Sequence, residues 1–203
     1  MKKILLLCSA AALLLSACAG NNAPIMETAA YNPQTQARIR LYGQNQKPAI
    51  MFFCQGNKPK KVNTGGSFSD ALGSFAGTAD SHSIGIAQTD YSRAIAEQNG
   101  ILSKALYREY VIPADKPINV SSHFLGLTNE SVVIDFQRKI KTTTTMTERN
   151  CRKGGSFIPQ AGHDYEVQSL TQGRVCTLEV VDITDPQQAL FEPLTEPKKL
   201  TCP

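Results

Sequence analysis

The chain lacks any apolar run long enough to cross a membrane as a helix. Such a span needs about twenty apolar residues, and the run from Ile4 to Leu15 has twelve. No long Lys/Arg tract occurs, and 21 basic against 17 acidic residues leave a formal charge of only +4, a weak footprint for a nucleic-acid binder. His82, His123 and His163 lie far apart, and no CxxC or HxxxH spacing is present, so no metal centre is expected. The strand-turn serine motif GxSxG and the phosphate loop GxxxxGK[ST] are both missing. Asp80-Ser81-His82 holds the residue types of a hydrolytic triad, but triad members are usually distant in sequence and meet only in space. The reading is therefore non-enzymatic and without a cofactor, and no internal repeat is visible.

What is present begins at the amino terminus. Lys2 and Lys3 precede the apolar run, and Leu15-Ser16-Ala17-Cys18 closes it, the order of a cleaved secretory signal with small residues at the cut. The LSAC ending resembles the lipobox of bacterial lipoproteins. That resemblance implies cleavage after residue 17, lipidation of Cys18, and an anchor built from a diacylglyceryl thioether and an amide-linked acyl chain. One chain alone holds a protein only marginally. Ala19, rather than aspartate, follows the cysteine. In the lipoproteins it resembles, this implies transfer to the outer membrane, here with the domain facing the periplasm.

Removal of the first 17 of 203 residues, Lys2 and Lys3 among them, leaves 186 and lowers the formal charge from +4 to +2. That length suits one domain with a real core. Residues 18–36 are small, polar and broken by Pro24 and Pro33, which reads as a flexible tether. Residues 37–203 then form the single domain. Four further cysteines, Cys54, Cys151, Cys176 and Cys202, are disulfide candidates, because an even number in an exported chain fits an oxidising compartment. Three pairings are open. The rival reading is a metal site, but no CxxC or HxxxH spacing supports it; Cys54 as a nucleophile paired with a histidine is also explained better by a disulfide.

The pattern along the domain is mainly β. In ARIRLYG, Ala37, Ile39 and Leu41 alternate with Arg38, Arg40 and Tyr42, the period of a half-buried strand. AIMFFC (49–54) follows after a Gly43–Pro48 turn and is expected to pair with it as a hairpin. Residues 63–100 form one long Gly/Ser-rich excursion, either functional or packed down by its few large apolar residues. Within it, Thr89 to Gln98 suits a short helix capped by Thr89. Strand signals return at 105–112, 118–124, 131–137, 142–145, 164–170 and 174–183, with the last two as a hairpin around 171–173. Beyond Asp185 the prolines predict an irregular tail. About eight strands and little helix indicate an antiparallel β-sandwich.

The strand order, with CRKGGSFIPQAGHDYEV leading into a final cysteine-bearing strand, resembles small β-sandwich envelope lipoproteins of Gram-negative bacteria. The resemblance implies fold and export and brings no active residue. One surface feature stands out. Arg138, Lys139, Lys141, Arg149, Arg152 and Lys153 face a single local acid, Glu148. This stretch either contacts an anionic surface such as lipid phosphates or an acidic partner, or is a solvated loop balanced by acids elsewhere. The functional expectation is a membrane-anchored envelope lipoprotein that binds an envelope protein or glycan or has a structural role. The alternative is a defence module resembling lysozyme inhibitors, in which Cys54-Gln55-Gly56 would match an early cysteine.

Overall fold

The computed structural model describes residues 30–44, 47–65, 80–97, 104–123, 130–135, 140–145, 152–172, 175–185 and 187–203, with backbone alone over 130–135, 140–145, 171–172 and 175. The expected anchor, the tether as far as residue 29 and residues 66–79 and 98–100 of the excursion lie outside these.

The domain is mainly β, as expected, with two sheets packed face to face. Strands β1 (Gln36–Gly43), β4 (Leu106–Pro113), β9 (Asp164–Gln172), β10 (Val175–Asp182) and β11 (Leu190–Glu192) form one sheet in the order β11-β10-β9-β1-β4. Strands β2 (Ala49–Gln55), β3 (Lys58–Thr64), β5 (Ile118–His123) and β8 (Arg152–Phe157) form the other in the order β3-β2-β5-β8. The strands β6 (Glu130–Asp135) and β7 (Ile140–Thr145) pair as a separate hairpin.

The alternation read from the sequence fills the space between the sheets. Ala37, Ile39 and Leu41 of β1, Met51 and Phe53 of β2, Tyr110 and Ile112 of β4, and Tyr165 and Val167 of β9 share one buried cluster. Such dry packing contributes about 25 cal/mol for each Å² of apolar surface removed from water.

Two expectations need correction. β1 and β2 do not form a hairpin, because they belong to opposite sheets. The chain crosses over at Gly43, where a Cβ would lie 2.3 Å from the carbonyl oxygen of Thr64, so glycine is required by the close approach of backbone. β2 instead pairs with β3 through a two-residue loop in which Gly56 takes a positive φ of 59°. The sheets are also not wholly antiparallel: β1 runs parallel to β9, with Arg38, Ile39 and Arg40 opposite Asp164, Tyr165 and Glu166.

Strands β3 and β8 escaped the sequence reading because both are edges. β3 (KPKKVNT) carries the lysines and proline with which edge strands resist further pairing. β8 (RKGGSF) has glycines where other strands have apolar residues, and at Gly155 a Cβ would come within 2.9 Å of Leu194. The tail is less irregular than expected: β11 adds a short strand, Thr195 exchanges two backbone hydrogen bonds with Ser156, and Cys202 is bonded to Cys54.

Candidate functional site

The polar face of β1 is not solvated. Arg40 and Tyr42 alternate with core residues, which places them on the face of the five-stranded sheet turned away from its partner, yet both are buried. The covering layer is the second part of the excursion, residues 80–97. Its helix α1 (Asp90–Glu97) follows the expected span and cap: the amide of Ser92 donates to Thr89 Oγ1 at 3.0 Å, and the amide of Thr89 donates to Ser92 Oγ at 2.9 Å. These reciprocal bonds satisfy amides that a helix start leaves open. Tyr91 and Ile95 of α1 pack with Tyr42, whose ring meets Tyr91 edge-on at 5.1 Å between centroids. Ile86, nearer the start of the layer, packs with Val181 and Ile183.

Beneath this layer lies a row of charges set by strand register. Arg40 is opposite Glu109 on one side and Glu166 on the other. Its guanidinium meets Glu109 Oε1 at 2.7 Å and Glu166 Oε1 at 3.0 Å, with all three side chains wholly buried. It also donates to the carbonyls of Ile86 and Ala87. Burial opposes its charge, but Tyr42, Glu109 and Glu166 more than offset this and hold it above the ordinary arginine value.

Both carboxylates are saturated by their own chain. Glu109 Oε2 accepts from Ser83 Oγ at 2.8 Å and from the amides of Ile84 and Ile86 at 2.6 and 3.2 Å. Glu166 accepts from Tyr42 Oη at 2.6 Å, from Thr89 Oγ1 and from Gln168 Nε2. Burial, and then Glu166, raise the Tyr42 phenol so that it keeps its proton. A buried charge needs such complete partnering. The cluster therefore bolts the excursion to the sheet; a substrate would have to displace these internal bonds to reach either carboxylate.

A second polar group flanks it. Arg38 makes a bidentate pair with Asp164, both bonds at 2.7 Å, and its guanidinium lies over the ring of Tyr31. His163 Nδ1 meets Asp182 Oδ2 at 2.5 Å, while Thr184 donates its amide and hydroxyl to Asp182 Oδ1. Burial pushes the Asp182 carboxyl up, but the bonds from His163 and Thr184 prevail and hold it below the ordinary range.

The residues singled out in the sequence fall in different places. Cys54 and Cys202 are joined, with sulfurs 2.03 Å apart across a sequence separation of 148. Cys176 is also disulfide-bonded. Cys18, Cys151, Arg138, Lys139 and Arg149 lie outside the described residues. Lys141 is in β7, and Arg152 and Lys153 are exposed on β8. The structure does not bring the histidines together through any bond among the described residues: His123 Nδ1 contacts the carbonyl of Pro48, His163 meets Asp182, and the backbone of His82 pairs beside Arg108 through Tyr107 and Glu109. Ser81 Oγ accepts the amide of Tyr107. Among the described residues no three His, Cys, Asp or Glu side chains gather as metal ligands, and no helix is long and apolar enough to cross a membrane.

Sequence reasoning missed the Arg40–Glu109–Glu166 row. Its only trace is that opposite charges occupy the nominally polar face of three strands, and pairing them requires the register. Comparison with protein-family models, with curated proteins and with solved structures found no match.

Proposed function

We propose that this chain is a lipid-anchored envelope lipoprotein with a non-enzymatic binding or structural role, held through Cys18 at the outer membrane with its domain facing the periplasm. The observation that carries the reading is the LSAC motif together with the Cys54–Cys202 bond. The motif directs export, and a structural disulfide persists in the oxidising compartment that export reaches. The same bond ties the carboxy terminus to the domain body, as suits a tethered domain exposed to envelope proteases. The saturated Glu109 and Glu166 support the non-enzymatic part, since general acid–base work needs a carboxyl within reach of substrate.

Metabolic labelling with a fatty acid, followed by membrane fractionation, tests the anchor. The wild type should carry label and sediment with outer membranes, and Cys18→Ala should do neither. Equal labelling of the variant would overturn the reading. Inhibition of lysozyme by the soluble domain would favour the defence module instead, and cross-linked capture from intact envelopes would identify a protein or glycan partner.

A further inference from the structure

Charge is segregated between the two sheets. Strands β2, β3, β5 and β8 carry Lys58, Lys60, Lys61, Arg152 and Lys153 without one Asp or Glu. In the five-stranded sheet the acids Glu109, Asp164, Glu166, Glu179, Asp182 and Glu192 outnumber three arginines. The four-stranded sheet therefore carries only cations, whereas four of the six acids of the other sheet, Glu109, Asp164, Glu166 and Asp182, are buried.

Register orders the basic side. Phe52 stands opposite Lys61 and Asn119, and Asn119 opposite Ser156, on the face turned away from the core. Phe52 is 38% exposed, with the Lys61 ammonium 5.8 Å from its ring centroid. Arg152 lies on the same face, its guanidinium 3.5 Å from Ser121 Oγ. The carboxy-terminal tail then crosses part of this face. Asn119 donates Nδ2 to the carbonyl of Lys198 at 2.6 Å and accepts the Lys198 amide at 3.1 Å, which sets the exposed Lys198 and Lys199 beside it. Glu196 is the one acid on this strap. Among the described residues none of these cations is held in an ion pair, in contrast to Arg38 and Arg40 of the other sheet.

We propose that this face, centred on Phe52 and Lys61, docks on the anionic phospholipid headgroups of the bilayer that anchors the chain. The proposal rests on the lipid-anchor reading, which places that bilayer within reach. The stretch between Cys18 and Ala30, where the described residues begin, can extend to at most about 40 Å. So short a tether keeps the domain at high effective concentration over the surface. A headgroup layer needs no fixed hydrogen-bond geometry from lysines, each of which gains from the negative surface potential, and the boundary below it accepts an apolar ring. A partner's β-strand would need an open backbone edge, which a sheet face does not offer. Of the described residues of the basic stretch 138–153, Arg152 lies on this face, while Lys153 stands opposite the buried Ser122 and has the other parity.

Vesicle flotation of the disulfide-bonded, non-lipidated protein beginning at Ala19 tests the proposal. The wild type should float with phosphatidylglycerol-containing vesicles at about 0.1 M salt and be released near 1 M, where the screening length falls from about 10 Å to about 3 Å. It should ignore phosphatidylcholine. Combining Lys61→Glu with Arg152→Glu should lower partitioning about tenfold or more, and the milder Lys61→Gln with Arg152→Gln should lower it less, all with unchanged unfolding midpoints. The chain contains no tryptophan, so Phe52→Trp supplies a sole reporter whose emission should shift to the blue on anionic vesicles alone. Equal partitioning of wild type and the charge-reversed protein, or an indole emission that vesicles leave unmoved, would overturn the proposal. Capture of an acidic protein or lipopolysaccharide without vesicle binding would also overturn it and assign the face to that partner. If the vesicle results fail while Cys18 is still lipid-labelled, the anchor stands and the docking face falls.

Discussion

Arg40 and Glu109 face each other across the β1–β4 pair with their charged ends 2.7 Å apart and no exposure to solvent. Glu109 turns its other oxygen to the excursion, where it holds the amides of Ile84 and Ile86. One carboxylate thus couples the sheet to the layer that covers it. Its value lies in that coupling, because a buried ion pair gains little over well-packed apolar groups once desolvation is counted.

Removing the shared cation should be far worse than neutralising one of its two carboxylates, which leaves Arg40 paired with Glu166. Arg40→Ala leaves two carboxylates buried without their cation and should cost about 3–5 kcal/mol. Glu109→Gln keeps the shape but loses the charge and some acceptors, and should cost less. Urea unfolding of each variant checks the order. Limited proteolysis should cut within residues 80–97 sooner in Glu109→Gln than in wild type, because the layer loses its fastening. Unchanged cutting would show that the apolar contacts of Ile86 and Ile95, with the bonds from Arg40 and Glu166, hold it without the Glu109 charge.

The Cys54–Cys202 bond closes a loop of 148 residues. The chain-entropy account assigns about 5 kcal/mol to such a closure, and removals from exported domains typically cost about 2–5 kcal/mol. Cys202→Ser should destabilise the domain within that range and expose the tail after Thr195 to carboxypeptidase. Peptide mapping of the unreduced protein should recover Cys54 with Cys202, and Cys176 with Cys151. Alkylation of Cys151 in the folded, unreduced protein would exclude the second pairing.

Acid should weaken the fold partly through Asp182. Its carboxyl is depressed in the folded state by His163 and Thr184. The contribution is therefore present above the ordinary aspartate value of about 3.9 and is lost as pH falls through the lower, folded one. Glu192 works in the opposite sense, since burial and then Asp182 raise it. Asp182→Asn should flatten the stability profile below about pH 4 and leave a lower plateau near neutrality. A thermal unfolding series against pH checks this; parallel curves for variant and wild type would place the acid sensitivity elsewhere.

Sequence alone determined the elements whose signal is local. The alternation of Ala37, Ile39 and Leu41 marks β1, AIMFFC marks β2, and Thr89 marks the start of α1, because side-chain period and capping act within a few residues. It also carried the β-rich class and the oxidised state of Cys54 and Cys202, which follow from strand count and cysteine usage. Tertiary structure decided what depends on register and layer. Arg40 reads as solvent-facing on a half-buried strand, and only the covering layer 80–97 makes that face interior. Gly43 reads as part of a hairpin turn, and only contact with Thr64 shows that the chain is changing sheets. The pairing of Cys54 with Cys202 and the basic side around Phe52 were likewise illegible, since both join segments far apart in the chain. A period of two says which residues share a face, but it does not say which strand lies beside them or what comes to rest on top.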